Sequence, residues 1–274
     1  MFKGLVLSLA VAAGLATAGM VQTASAETLR VGTECTYFPF NYRDSAGTLM
    51  GYDVDVANEV GKRIGADIEF VCQEWDGMIP SLLANKFDLI VASMSITDQR
   101  REKIDFSVPY RVSIGQFIGA KDRGLQFFNA DGTVNAAGFE GVKVGIERNS
   151  TYDTWIQAKM PDAEIVPYDN NEAMYLDLAA GRVDAIMTNP MKAYLVFLSQ
   201  PNGAGFETIG PAITDVEYFG VGVGIGVRKG SDDLLKRLDD ALVGMIKDGT
   251  LSSYSRRYFP FDINPTDWKG AGAN

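Results

Sequence analysis

The chain has 274 residues, with 25 Lys and Arg against 35 Asp and Glu, two cysteines and no histidine. A formal charge of −10, with its basic residues scattered singly or in pairs, excludes a nucleic-acid interface because no basic stripe offsets the repulsion from phosphate. Lacking histidine, the chain also lacks the commonest zinc ligand and the base of every Ser-His or Cys-His nucleophile, so no metal, cofactor or catalytic residue is expected.

Residues 1–26 read as a signal peptide. Lys3 precedes an uncharged apolar run, and Ala24-Ser25-Ala26 supplies the small residues of a cleavage site, so the exported protein begins at Glu27 in the periplasm. No later segment is long and apolar enough to span a bilayer. From there, a strand over Thr28–Thr33 and a turn-rich stretch from Pro39 to Gly51 lead into a helix over Asp53–Ile64, where Val54, Ala57, Val60 and Ile64 recur at helical spacing. A strand over Asp67–Cys72, a helix over Trp75–Asn85 and a short buried strand over Leu89–Ala92 complete a β-α-β-α-β series. Such a series implies a parallel sheet that collects ligands at its C-terminal strand ends.

After a polar, glycine-rich region at 122–141 the same grammar restarts. Strands are expected over Val142–Ile146, Glu164–Tyr168 and Ala185–Met187, with helices over Tyr152–Lys159 and Asn171–Ala180 between them. Two extended segments, Tyr110–Ile118 and the glycine-alternating Tyr218–Val227, link the two units; the second reads equally as a strand against another backbone or as a flexing hinge. Helices over Asp232–Lys247 and Leu251–Tyr258 return to the first unit. The expected architecture is α/β, with two Rossmann-like lobes: 27–112 plus 223–274, and 113–222, with a cleft between facing strand ends. Cys35 and Cys72 follow neighbouring strands. A bond between them would stabilise the fold by about 3 to 4 kcal/mol, but two buried free thiols, or one thiol near the ligand, fit the sequence as well.

Several residues at strand ends suit ligand chemistry. Arg100 offers a two-pronged donor to a carboxylate, though a solvated surface arginine beside Arg101 is the plainer reading. Ser93 and Ser95 fit either hydrogen bonding to a ligand or turn chemistry. Ser150 and Thr151 open a helix whose free N–H groups attract an anion, yet an N-cap explains them too. Glu34 with Tyr37 and Trp75 suits a cationic group, or else the aromatics are core and the glutamate is solvated.

The ordered stretches GTECTYFPFNY (32–42), GYDVDVANEVGKRIG (51–65), WDGMIPSLLANKFDLIVASMSITDQRREKIDFSVPY (75–110), VGIERNSTYDTW (144–155), GRVDAIMTN (181–189), GVGVGIGVRK (220–229) and DGTLSSYSRRYF (248–259) cover nearly all of the exported chain. Together they resemble the periplasmic amino-acid-binding proteins of ABC importers, solute-binding protein family 3, in the branch carrying histidine, lysine, arginine, ornithine and opines. The resemblance implies the periplasmic binding protein type 2 fold, two lobes on hinge strands, a monomer, and permease subunits as partners. It places the ligand carboxylate on Arg100, with Ser93, Met94 and Ser95 on the amine and carboxylate, Ser150, Thr151 and Tyr152 across the cleft, and Glu34, Tyr37 and Trp75 on the ligand side chain. One departure stands out: where basic-amino-acid binders carry an aspartate for the α-ammonium, this chain has Asn189. An amide accepts from an amine without supplying charge, which favours an opine-type derivative over an ordinary amino acid. The rival from another class is a periplasmic dehydratase of prephenate or arogenate type on the same fold. It needs a poised general acid, for which only Glu34 offers itself.

Overall fold

The computed structural model describes residue 1, residues 26–260 and residues 262–264; apart from Met1 and Ala26, the expected leader lies outside the described residues. The chain starts with β1 (Glu27–Thr33), and a small antiparallel meander of β2 (Thr36–Tyr37), β3 (Asn41–Arg43) and β4 (Leu49–Met50) follows. Helix α1 (Tyr52–Ile64) has Lys62 and Arg63 in its last turn and ends at Gly65, whose φ of 73° is the left-handed cap that glycine adopts without strain. β5 (Ala66–Cys72) pairs parallel with β1. A 3-10 turn at Trp75–Gly77, α2 (Met78–Leu83), β6 (Leu89–Ile90), α3 (Asp98–Arg101) and β7 (Ile104–Phe106) complete the outward run of the first lobe.

The chain then enters the second lobe at β8 (Gly115–Ala120) and continues through β9 (Lys143–Glu147), α4 (Thr151–Lys159), β10 (Glu164–Tyr168), α5 (Asn171–Ala179), β11 (Ala185–Thr188), α6 (Pro190–Ala193), β12 (Phe206–Ile213) and α7 (Val216–Phe219). It returns through β13 (Gly226–Arg228), α8 (Asp232–Lys247) and α9 (Thr250–Tyr258). The sheets have orders β5-β1-β6-β13-β7 and β10-β9-β11-β8-β12. In each, three consecutive strands run parallel or stand in the parallel part, and the strands next to the crossovers are antiparallel: β13 to β6 and β7, β8 to β11 and β12. This is the doubly wound arrangement expected, with C-terminal strand ends facing one cleft.

Each lobe has its own core. Leu238, Leu242 and Met245 of α8 and Leu251 of α9 pack with Val31, Val56 and Val60, which is why the last two helices belong to the first lobe although they follow the second in sequence. In the second lobe, Phe127 and Phe139 stack with ring centroids 4.1 Å apart against Phe117. The connector at 122–141 thus plugs a core with aromatics that its polar composition obscured. The crossover segments are less regular than the alternation suggested. Residues 218–219 belong to α7, and Val223 forms isolated β-bridges to Ser95 and to Arg111 in place of a continuous ladder. Gly220 sits at φ 67°, and a Cβ there would collide with the Ile96 carbonyl, so close backbone approach accounts for the glycine. Cys35 and Cys72 are disulfide-bonded, with Cα atoms 5.6 Å apart, which the pairing of Thr33 with Cys72 makes possible.

Candidate functional site

Between the lobes lies a small cavity lined by residues from both. Of the eleven residues singled out from the sequence, Glu34, Tyr37, Trp75, Ser93, Ser95, Arg100, Ser150, Thr151, Tyr152 and Asn189 line it. Met94 does not. Its side chain is buried among Met78, Leu82 and Ile90, because alternation along the extended segment turns it into the lobe while Ser93 and Ser95 face the cleft.

The first lobe's contribution is organised by a buried carboxylate. Asp53, on α1, accepts hydrogen bonds from Asn41 Nδ2 (2.8 Å), Ser93 Oγ (2.7 Å) and Tyr110 OH (2.8 Å). Asn41 in turn accepts from the N–H groups of Glu34 (3.1 Å) and Cys35 (3.2 Å). One side chain therefore ties together the turn after β1, the segment after β6 and the approach to the first crossover. Ser93 spends its only proton on Asp53, so towards a ligand its hydroxyl has only lone pairs to offer.

Arg100 is 9% exposed, not a solvated surface arginine. Thr97 caps α3 by accepting from the Arg100 N–H at 3.3 Å, while the guanidinium donates to the carbonyls of Ser95 (3.1 Å) and Asn149 (3.4 Å) and lies 5.1 Å from the Trp75 ring centroid. Burial lowers its pKa to about 10, so it remains cationic at neutral pH. Across the cleft, Ser150 is the N-cap of α4, its Oγ accepting from Asp153 N at 3.2 Å. The first-turn N–H groups of Thr151 and Tyr152 have no intrahelical acceptor, and both residues line the cavity.

Asn189 corrects an expectation. Its Oδ1 caps α6 by accepting from Met191 N (2.9 Å) and Lys192 N (3.1 Å), so the acceptor that was to meet a ligand amine is already committed. What remains for the cavity is Nδ2, a donor.

Sequence reasoning missed Arg111 and Glu147, both buried on the cavity wall. Arg111 stacks over Phe40 at 4.3 Å and donates from Nη1 to the Val112 carbonyl at 2.8 Å. A single charged residue inside the otherwise uncharged run YRVSIGQFI was the available signal. Glu147 ends β9 just as Glu34 follows β1, so the strand-end rule applied to the second lobe would have found it. Its Oε1 is buried without a hydrogen-bond partner. Lys192 places Nζ 3.9 Å from the Tyr37 ring centroid, across the cleft, and burial lowers its pKa to about 8 against the pull of Glu147 and Glu34. Burial also raises the carboxyls of Glu34 and Glu147; for Glu34 the neighbouring Glu147 adds to the effect and Lys192 opposes it. The cavity wall thus carries two arginines, each over an aromatic ring, and two glutamates whose nearest buried cation is Lys192.

Among the described residues no helix is long and apolar enough to cross a membrane, and no cluster of three His, Cys, Asp or Glu could hold a metal ion. Residues 29–261 match the profile of the bacterial extracellular solute-binding proteins, family 3. The chain is 35% identical over 263 residues to the lysine/arginine/ornithine-binding periplasmic protein of Escherichia coli K12, covering 95% of this chain and 98% of that protein. It is 34% identical over 259 residues to the L-arginine-binding protein of Pseudomonas aeruginosa, covering 94% and 97%. Among solved structures, an ancestral arginine-binding protein bound to arginine superposes with a TM-score of 0.74 at 33% identity, covering 85% of this chain and 98% of that one.

Proposed function

The chain belongs to the bacterial extracellular solute-binding proteins of family 3, and we propose that it delivers a polar amino acid with a cationic side chain, or an opine-type derivative of one, to the permease subunits of an ABC importer. It works as a periplasmic monomer exported through the 1–26 leader, with lobes 27–112 plus 223–274 and 113–222 closing over the ligand. One observation carries the reading: Arg100 is a buried cation on the interlobe cavity with no carboxylate within 4 Å among the described residues. An unpaired buried charge costs several kcal/mol, and a ligand carboxylate removes that cost on closure. Elsewhere on the wall Glu34 and Glu147 outnumber Lys192, and Tyr37 supplies a ring face, which suits an amine or guanidinium.

The named relatives are binding proteins, which disfavours the dehydratase alternative; buried glutamates beside a lysine serve ion recognition here. Calorimetric titration with arginine, lysine, ornithine, histidine and Nα-(1-carboxyethyl)-arginine tests the function. Saturable binding of at least one is expected. Binding of none, with the fold intact by circular dichroism, would overturn it.

A further inference from the structure

Arg100 is not alone on its wall. Arg111 lines the same cavity and is 3% exposed, yet its Nε has no hydrogen-bond partner and its Nη1 meets only the neutral Val112 carbonyl. Among the described residues no carboxylate lies within 4.0 Å of either guanidinium. A single α-carboxylate neutralises one planar fork at most, and it leaves the other as a buried, unpaired cation. The carboxylates that do line the cavity, Glu34 and Glu147, face the demand of Lys192. Asn189 adds to the imbalance, because its capping role turns a donor rather than an acceptor to the ligand.

We propose that Arg111 anchors a second anionic group of the ligand, so that the cavity prefers an amino acid whose α-nitrogen carries a carboxyalkyl substituent over the unsubstituted amino acid. This rests on the amino-acid reading above and deepens it. Arg100 takes the α-carboxylate. Arg111, fixed in orientation by stacking on Phe40 and by its bond to Val112, turns its remaining guanidinium protons to the second carboxylate. Ser95 and Ser113, whose hydroxyls lie 2.7 Å apart on the cavity wall, share one hydrogen bond and keep a second proton free for the same anionic pair. The secondary amine between the two carboxylates carries its own counter-charges, which removes the need for an aspartate at 189. The cationic side chain then reaches the glutamates.

The test compares arginine with Nα-(1-carboxyethyl)-arginine, which differ only in the substituent, on the wild-type protein, Arg111→Met and Arg111→Lys by calorimetry. The wild type is expected to bind the carboxyethyl compound at least about tenfold more tightly. Arg111→Met is expected to weaken that compound about a hundredfold and arginine much less, since a charged hydrogen-bonded pair is lost for one ligand only. Arg111→Lys keeps the charge and loses the fork, so it should retain only part of the preference, and it serves if the methionine variant does not fold. Equal weakening of both ligands in the variants would make Arg111 a structural residue and overturn the proposal. Tighter binding of arginine than of the carboxyethyl compound by the wild type would overturn it too, while leaving the amino-acid reading standing. Binding of neither would remove both.

Discussion

At the scale of single residues, the cavity is a set of charges that the protein leaves unbalanced. Arg100→Ala should weaken ligand binding by several kcal/mol, and Arg100→Lys should restore little, since the ammonium cannot reproduce two parallel bonds to a carboxylate; calorimetry on both variants checks this. Asn189→Asp keeps the cap on α6 with one oxygen and presents an anionic oxygen where Nδ2 now stands. It should tighten arginine and weaken Nα-(1-carboxyethyl)-arginine by a few kcal/mol, opposite signs read from one pair of titrations. Glu34 gives a pH dependence. Its carboxyl is held well above the usual range by burial and by Glu147, with Lys192 opposing and Asp53 and Glu74 adding, and a bound cation would pull it back down. Binding of a cationic ligand is therefore at full strength above the raised pKa of the free site and weakens as pH falls through it. The decline should begin above the ordinary glutamate value of about 4.3 and should largely disappear in Glu34→Gln, whose binding is weaker throughout.

At the scale of elements, the residues between β9 and α4 hold the lobes together. Asn149 donates from Nδ2 to Asp76 Oδ1 at 2.9 Å, and its carbonyl accepts from Trp75 Nε1 at 3.3 Å and from Arg100. Arg148 stands 3.9 Å from Asp76 in support. Asn149 has φ 57°, a conformation that asparagine and glycine tolerate, so Asn149→Gly removes the amide without straining the turn. About 1 kcal/mol of closure energy should be lost, appearing chiefly as faster ligand release in stopped-flow experiments. The disulfide acts at a different point. It closes the loop between residues 35 and 72, so Cys35→Ala with Cys72→Ala should lower unfolding stability by about 3 to 4 kcal/mol in urea titrations. Ligand affinity should change little by comparison, because Asn41 and Asp53 still hold the turn bearing Glu34.

At the scale of the whole molecule, closure brings together charges that do not pair within the protein, so the ligand completes the closed form. Ligand at one hundred times its dissociation constant should raise the unfolding free energy by about 2.7 kcal/mol, and X-ray scattering should show a smaller radius of gyration on binding. Arg100→Ala should show neither change at the same concentration.

Periodicity and order in the sequence determined much of this. Helical spacing located α1, α4, α5, α8 and α9 to within a residue or two, the repeated β-α-β-α-β series implied two similar sheets, and strand-end logic with the family resemblance selected ten residues that line one cavity. These features are local, or follow from local pattern through chain connectivity, and so they are written in short windows of residues. Other features depended on what distant residues do to one another. The pairing of Cys35 with Cys72 needed the register of β1 against β5, and the aromatic plug at 122–141 needed the second sheet to pack against. Asn189 could be read as an acceptor until α6 claimed its oxygen, and Arg111 could be read as a hinge residue until burial left it without a counter-charge. A residue's type fixes which hydrogen bonds and charges it can offer, but only the packed chain decides which of them are already spent and which are left to face a ligand.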